Sequence, residues 1–367
     1  MKRSLAVWMT VSSLVYVATA EPINADLAQQ TRAAIEKGVT WLKGQQKENG
    51  TWSEENMPAL TALPLWAVTV SGVPGTEPLQ EKAIGNLLGK QQPDGGIYVT
   101  QERQGAGLGN YNTSICVTAL HATGRKDLMP AVLKARTYIA SSQYSDGAHA
   151  GGFGYDKESQ RVYSDLNNTF FAIDAMRRTQ GAEDTRPASE RRADVNWDAA
   201  IKYVERLQSQ EGDTKGGFAY NAGDPRAGTN TNPDGKVTLR AYGSMTYAGV
   251  LSLLHAKLDK GDPRVRGAFE YASRFWTVDE NPGQGQQGLF FYYNVMSRAL
   301  TAAGADALPK KDTGDIHWRE EMIKKVLSLQ KPDGSWANDN NRWWENDPVL
   351  ATSYALLALE FASGITK

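Results

Sequence analysis

The chain has 367 residues, with 40 lysines and arginines against 41 aspartates and glutamates, a formal net charge of −1. That balance leaves no basic field for a nucleic acid, and 41% hydrophobic with 22% charged residues excludes intrinsic disorder. Cys116 is the single cysteine, so no intramolecular disulfide can form; the four histidines have no zinc-site spacing, and neither a metal nor another cofactor is expected.

At the start, Lys2 and Arg3 precede a mostly apolar stretch over residues 5–17, and Ala18-Thr19-Ala20 supplies a small-x-small site before Glu21. This is the layout of a secretory signal peptide over residues 1–20. Cleavage near Ala20–Glu21 would export residues 21–367 to the periplasm or the extracellular space as a single domain without a membrane span.

A repeat then organises the chain. Gln46-Lys-Glu-Asn-Gly50-Thr-Trp52 is followed by Gln92-Pro-Asp-Gly-Gly96-Ile-Tyr98, by two stretched copies ending Gly151-Gly-Phe153 and Gly216-Gly-Phe218, by a weak copy over 283–290, and by Gln330-Lys-Pro-Asp-Gly334-Ser-Trp336. The stretched copies are read from Gln143 and Gln210. The segment before a copy is amphipathic: Trp197, Ile201, Val204 and Leu207 share one stripe, as do Trp318, Met322, Val326 and Leu329. The segment after it is apolar nearly all round, as over 57–70, 114–120, 246–254 and 349–362, and a helix without a wet face is buried on all sides. Six hairpins, each with one outer and one inner helix, predict an all-α fold, an (α/α)6 toroid. An open solenoid is the alternative, disfavoured because the inner helices are too apolar to line a wet concave face.

The Gln-x-x-x-Gly-x-Trp repeat between paired helices resembles that of squalene and oxidosqualene cyclases and of protein prenyltransferase β subunits. The resemblance spans about residues 26–364. It implies that Gln46, Trp52, Gln92, Tyr98, Gln330 and Trp336 are structural, tying one helix end to the next.

Every outer-to-inner turn lies at the same end of such a ring, so the inner-helix starts share one mouth. Asn112, Asn167, Asn168, Tyr242, Tyr292 and Tyr293 fall at those starts, and Arg240, Trp343 and Trp344 in the loops beside them. All nine are candidate ligand-binding residues, although Asn at such positions also caps helices. Arg103, Arg161, Arg226 and Arg342 join Arg240 as possible anion contacts. His121 and His255, near the ends of two inner helices, read as structural.

Asp165-Leu166-Asn167-Asn168-Thr169 resembles the Asp-x-Asp-Asp-Thr motif with which squalene-hopene-type cyclases protonate an alkene. The resemblance places the acid at Asn167, where an amide stands, and an amide cannot supply a proton at useful acidity. Asp165 and Asp347 are the remaining candidate catalytic carboxylates; Asp174, nine residues on, faces away from Asp165. The Asp-x-Cys zinc pair of the prenyltransferases and the thioester of complement-like toroids are absent. The reading is an exported toroid that binds or scaffolds an apolar or isoprenoid small molecule, or another exported protein. The alternatives are a working terpenoid cyclase or prenyl-converting enzyme using Asp165 or Asp347, and a glycan-active toroid, which needs two carboxylates, or an Arg and a carboxylate, across an open cleft.

Overall fold

Helices alternate between two concentric layers. A computed structural model of the chain describes residues 23–100, 107–157, 162–223, 226–231, 235, 237–310 and 314–364; the segment read as a signal peptide, with Arg103 and Arg161, lies outside the described residues. The outer layer is α1 (Ala25–Gln45), α3 (Glu77–Leu88), α5 (Met129–Ser141), α7 (Trp197–Arg206), α9 (Pro263–Arg274) and α11 (Trp318–Ser328). The inner layer is α2 (Ala59–Val70), α4 (Gly109–Ala122), α6 (Leu166–Arg178), α8 (Gly243–His255), α10 (Leu289–Ala302) and α12 (Pro348–Ser363). Each inner helix packs on the next, and α12 packs on α2, which closes the ring. The chain is thus an (α/α)6 toroid. A short antiparallel pair, β1 (Thr229–Thr231) and β2 (Val237–Leu239), decorates the α7–α8 connection. Among the described residues no helix is long and apolar enough to cross a membrane.

The burial pattern follows the sequence periodicity. On α7 the buried residues are Ala200, Tyr203 and Val204, a single stripe, whereas α12 is buried along nearly its whole length. Helix starts are capped by side chains: Asn24, Asp165, Asn196, Asp262 and Asp347 each accept a backbone N–H of the first turn.

The repeat is a clamp between neighbouring hairpins. Gln46 Nε2 donates to the carbonyls of Gly50 (3.2 Å), in its own turn, and of Leu79 (2.9 Å), on the next outer helix. Gln330 does the same with Gly334 and Ala34, both at 3.0 Å, joining the last hairpin to the first. The Trp52 and Trp336 indoles reach back to the carbonyls of Leu42 (2.7 Å) and Val326 (2.8 Å). Gln143 clamps Gly151 and Asn196 in the same way.

Two copies are offset from the sequence reading. In the second, the clamp is Gln91, bonded to Gly95 (3.0 Å) and Ala131 (2.9 Å), while Gln92 bonds locally to Lys90 and Tyr98. The Trp position is accordingly Ile97, which is fully buried, and not Tyr98. The doubled Gln91-Gln92 and Gly95-Gly96 permit both registers in sequence; the left-handed φ of Gly95, +93°, selects one. In the fourth copy Gln208, not Gln210, bonds Gly216 and Arg264, both at 2.8 Å. The α9–α10 connection is built differently: the Asn281 carboxamide accepts from Ser244 N (2.9 Å) and donates to Gln287 O (3.0 Å).

Inside the ring the second halves of the inner helices are filled. The Asp174 carboxylate of α6 bonds Arg178 and His255, each at 2.8 Å, and pairs with Arg298 of α10, the next inner helix but one around the ring. The Arg298 guanidinium lies 4.9 Å from the centroid of Trp66. His255 is therefore structural, as expected. Glu360 on α12 is fully buried, and neither carboxyl oxygen has a hydrogen-bond partner among the described residues. Burial holds its pKa well above the ordinary value. A raised folded pKa favours the folded chain below the unfolded value, about 4, and that advantage is lost as pH rises through the folded value. Glu360→Gln is expected to match the wild type near pH 4 and to exceed it by about 1–3 kcal/mol at pH 8, read by urea unfolding; parallel pH profiles would refute this.

Candidate functional site

The first turns of the inner helices are not filled. They surround a cavity of about 280 Å³ that opens at the mouth. Its deep wall is aromatic. Tyr111 of α4 meets Phe171 of α6 edge-on (5.4 Å between centroids), Phe171 meets Phe291 of α10 (6.0 Å), and Phe291 meets Tyr354 of α12 (5.7 Å). Leu60, Met245 and Leu350 add aliphatic surface. Four inner helices thus converge on the axis and form the cavity floor above the Asp174–Arg298 layer.

The loops build the rim. Tyr155 and Tyr220 line it, their hydroxyls 3.1 Å apart. Neither was foreseen as a site residue; both stand two residues after the repeat aromatic, in Phe153-Gly-Tyr155 and Phe218-Ala-Tyr220, a shared spacing that would have marked them. Trp343 and Trp344, 39% and 51% exposed, also line the cavity. Their φ angles, +62° and +64°, are left-handed and strained for such bulky residues. The strap that carries them is pinned by Glu345. This fully buried carboxylate accepts the N–H groups of Phe291 (2.8 Å) and Phe290 (3.2 Å) at the start of α10, and Asn338 Nδ2 (2.9 Å). Burial raises its pKa against those bonds. Among the described residues lining the cavity, Glu345 is the one Asp, Glu, His, Lys or Arg.

Of the residues singled out in the sequence, Asn167, Tyr242, Trp343 and Trp344 line the cavity. The others do not. Asn112 is a buried tie, accepting Ala59 N (2.9 Å) and donating to Gly107 O (2.9 Å). Asn168 donates through Nδ2 to Asp165 Oδ2 (2.7 Å). The Tyr292 and Tyr293 hydroxyls turn outward to the carbonyls of Thr277 and Val278. Arg240 pairs with Asp213 (3.1 Å), Arg342 stacks on Trp343 (4.5 Å), and Arg226 stacks over Tyr220 (4.9 Å) and Trp343 (5.2 Å).

The two candidate carboxylates also lie outside the lining. Asp347 caps α12 through Val349 N (2.8 Å) and accepts the Ser53 hydroxyl, which fixes it as a seam between the last and first hairpins. Asp165 is fully buried behind the tyrosine rim and caps α6 through Asn168 N (2.7 Å). Burial pushes its carboxyl up to about 6 against hydrogen bonding from Asn168 and Tyr220. Glu345, Tyr111, Phe171, Phe291 and Tyr354 were not foreseen as site residues. On helices buried all round, periodicity does not separate a side chain facing the axis from one facing a neighbour.

No family model matches the sequence. No curated protein matches it either. Solved structures do resemble the fold. The type II terpene cyclase MstE from Scytonema, without ligand, aligns with TM-score 0.57 at 11% identity over 92% of this chain and 99% of that one. Candida albicans protein geranylgeranyltransferase-I with GGPP aligns at 0.53 and 11% over 89% and 90%. A family 76 glycoside hydrolase from a bovine Bacteroides thetaiotaomicron strain aligns at 0.58 and 12% over 90% and 77%. At these identities the likeness concerns architecture: this chain shares the α/α toroid with terpene cyclase, prenyltransferase and glycoside hydrolase structures.

Proposed function

We propose that the protein is an exported toroid that binds an apolar, isoprenoid-type molecule in the mouth cavity without converting it. The observation that carries this is the composition of the cavity. Its depth is aromatic and aliphatic, and Asn167 lines it at the place where the resembled cyclases hold their acid. A carboxamide there contacts a ligand but does not protonate an alkene. The architecture suits such a ligand: an MstE complex holds geranylgeranyl dihydroxybenzoate, and the Candida transferase holds GGPP.

Titration of the protein with geranylgeraniol is expected to change tryptophan emission saturably, through Trp343 and Trp344, and mass spectrometry is expected to return the ligand unaltered. Phe291→Ala removes a floor ring and should weaken binding by about tenfold or more. Absence of saturable binding, or indifference to Phe291→Ala, would overturn the reading. A product that forms with the wild type and disappears with Asp165→Asn would assign Asp165 an acid role and favour the cyclase alternative.

A further inference from the structure

We propose that the ligand of this cavity carries an uncharged, multiply hydrogen-bonding head, a polyol or sugar, on its apolar body; this rests on the reading of the cavity as an apolar-ligand site. The carboxamides of Asn167, Gln284 and Gln287 line the cavity, half-buried. Among the described residues none of the three side chains has a hydrogen-bond partner. Other carboxamides nearby are committed to the protein: Asn110 to Gly154 O, Asn112 to Ala59 N and Gly107 O, Asn281 to Ser244 and Gln287 O, Asn338 to Glu345. The uncommitted three belong to residues that line the ligand space, and no structural bond explains them.

Each carboxamide offers two donors and an acceptor. A purely hydrocarbon ligand that displaced their water would leave them unpaired, at about 1–3 kcal/mol for each group. A head with several hydroxyls pairs with them instead, and its C–H faces suit the indoles and phenols of the rim. Charged heads fit less well. An anion would meet the Glu345 carboxylate, with no Lys, Arg or His among the described lining residues; Arg226, stacked over the Tyr220 and Trp343 rings, is not one of them. A cation would find the Glu345 oxygens already accepting two backbone N–H groups and an amide.

The test uses ten-carbon chains that differ only in the head: 1-decanol, decyl glucoside, decyl phosphate and decyltrimethylammonium. Each is titrated below its micelle concentration against the intact chain by calorimetry and tryptophan emission. Decyl glucoside is expected to bind about tenfold or more tighter than decanol, and the two charged chains no tighter than decanol. The double variant Gln284→Leu with Gln287→Leu should remove most of the glucoside advantage, by weakening the glucoside and by tightening decanol, which no longer leaves two amides unpaired, its thermal midpoint serving as the folding control. Decanol binding as tightly as the glucoside, or a charged chain binding tightest, overturns the head assignment alone. Absence of binding by decanol, the glucoside and geranylgeraniol together overturns the apolar-site reading and this proposal with it.

Discussion

Gly151→Ala is expected to lose at least about 3 kcal/mol of stability. The methyl group would sit 2.0 Å from the Ala199 carbonyl oxygen and 2.2 Å from its carbon, in the first turn of α7, and the backbone there has φ +87°. Neither obstacle can yield, because the Ala199 backbone belongs to a helix and the close approach is what lets Gln143 clamp two hairpins. Gly147 is an internal control. Its φ is +66°, but a Cβ there meets nothing within 4 Å, so Gly147→Ala should lose only about 1–2 kcal/mol, the left-handed backbone penalty. Urea unfolding of both variants separates the two contributions; equal losses would show that the close approach carries no energy.

Asp174→Asn is expected to be of similar size, about 3–5 kcal/mol at pH 7. The Asp174 carboxylate serves Arg178, His255 and the fully buried Arg298 at once, so its removal strands a buried cation. Burial pushes the carboxyl up, but Arg178, Arg298 and His255 together hold it well below the ordinary range. A depressed folded pKa contributes stability that is present above the unfolded value, about 4, and is lost as pH falls through the folded value. The gap between wild type and variant should therefore be full at pH 6–7 and shrink on acidification. A gap independent of pH between 7 and 2 would show that the carboxylate's charge is not what stabilises the layer.

The architecture was legible because it rests on two coarse signals, burial periodicity and glycine. The amphipathic stripe of α7 against the uniformly apolar α12 separates outer from inner helices in sequence, and closure of α12 on α2 follows from the need to cover the inner faces. Register was harder. Where Gln and Gly are doubled, as at Gln91-Gln92 and Gly95-Gly96, only the backbone conformation tells which residue clamps. The site was half legible. Asn167 stood out because it occupies an acid's place in a motif, and Trp343-Trp344 because two indoles beside asparagines are conspicuous in a loop. Glu345 did not, since an acidic residue between exposed neighbours reads as solvated, whereas it caps α10 from a distant connection. Asp347, two residues on, drew attention instead and proves to cap its own helix.

The seam that completes the ring joins residues nearly a whole chain apart: Gln330 to Ala34, separated by 296 positions, and Ser53 to Asp347, by 294. Contacts of such sequence separation form late in folding. A chain lacking α12 is a crescent whose two ends, α2 and α10, present bare apolar flanks, and such flanks stick to one another between molecules. Truncation at the C-terminus therefore yields an aggregating fragment rather than a smaller ring, and a nascent chain is vulnerable until its final helix has been made.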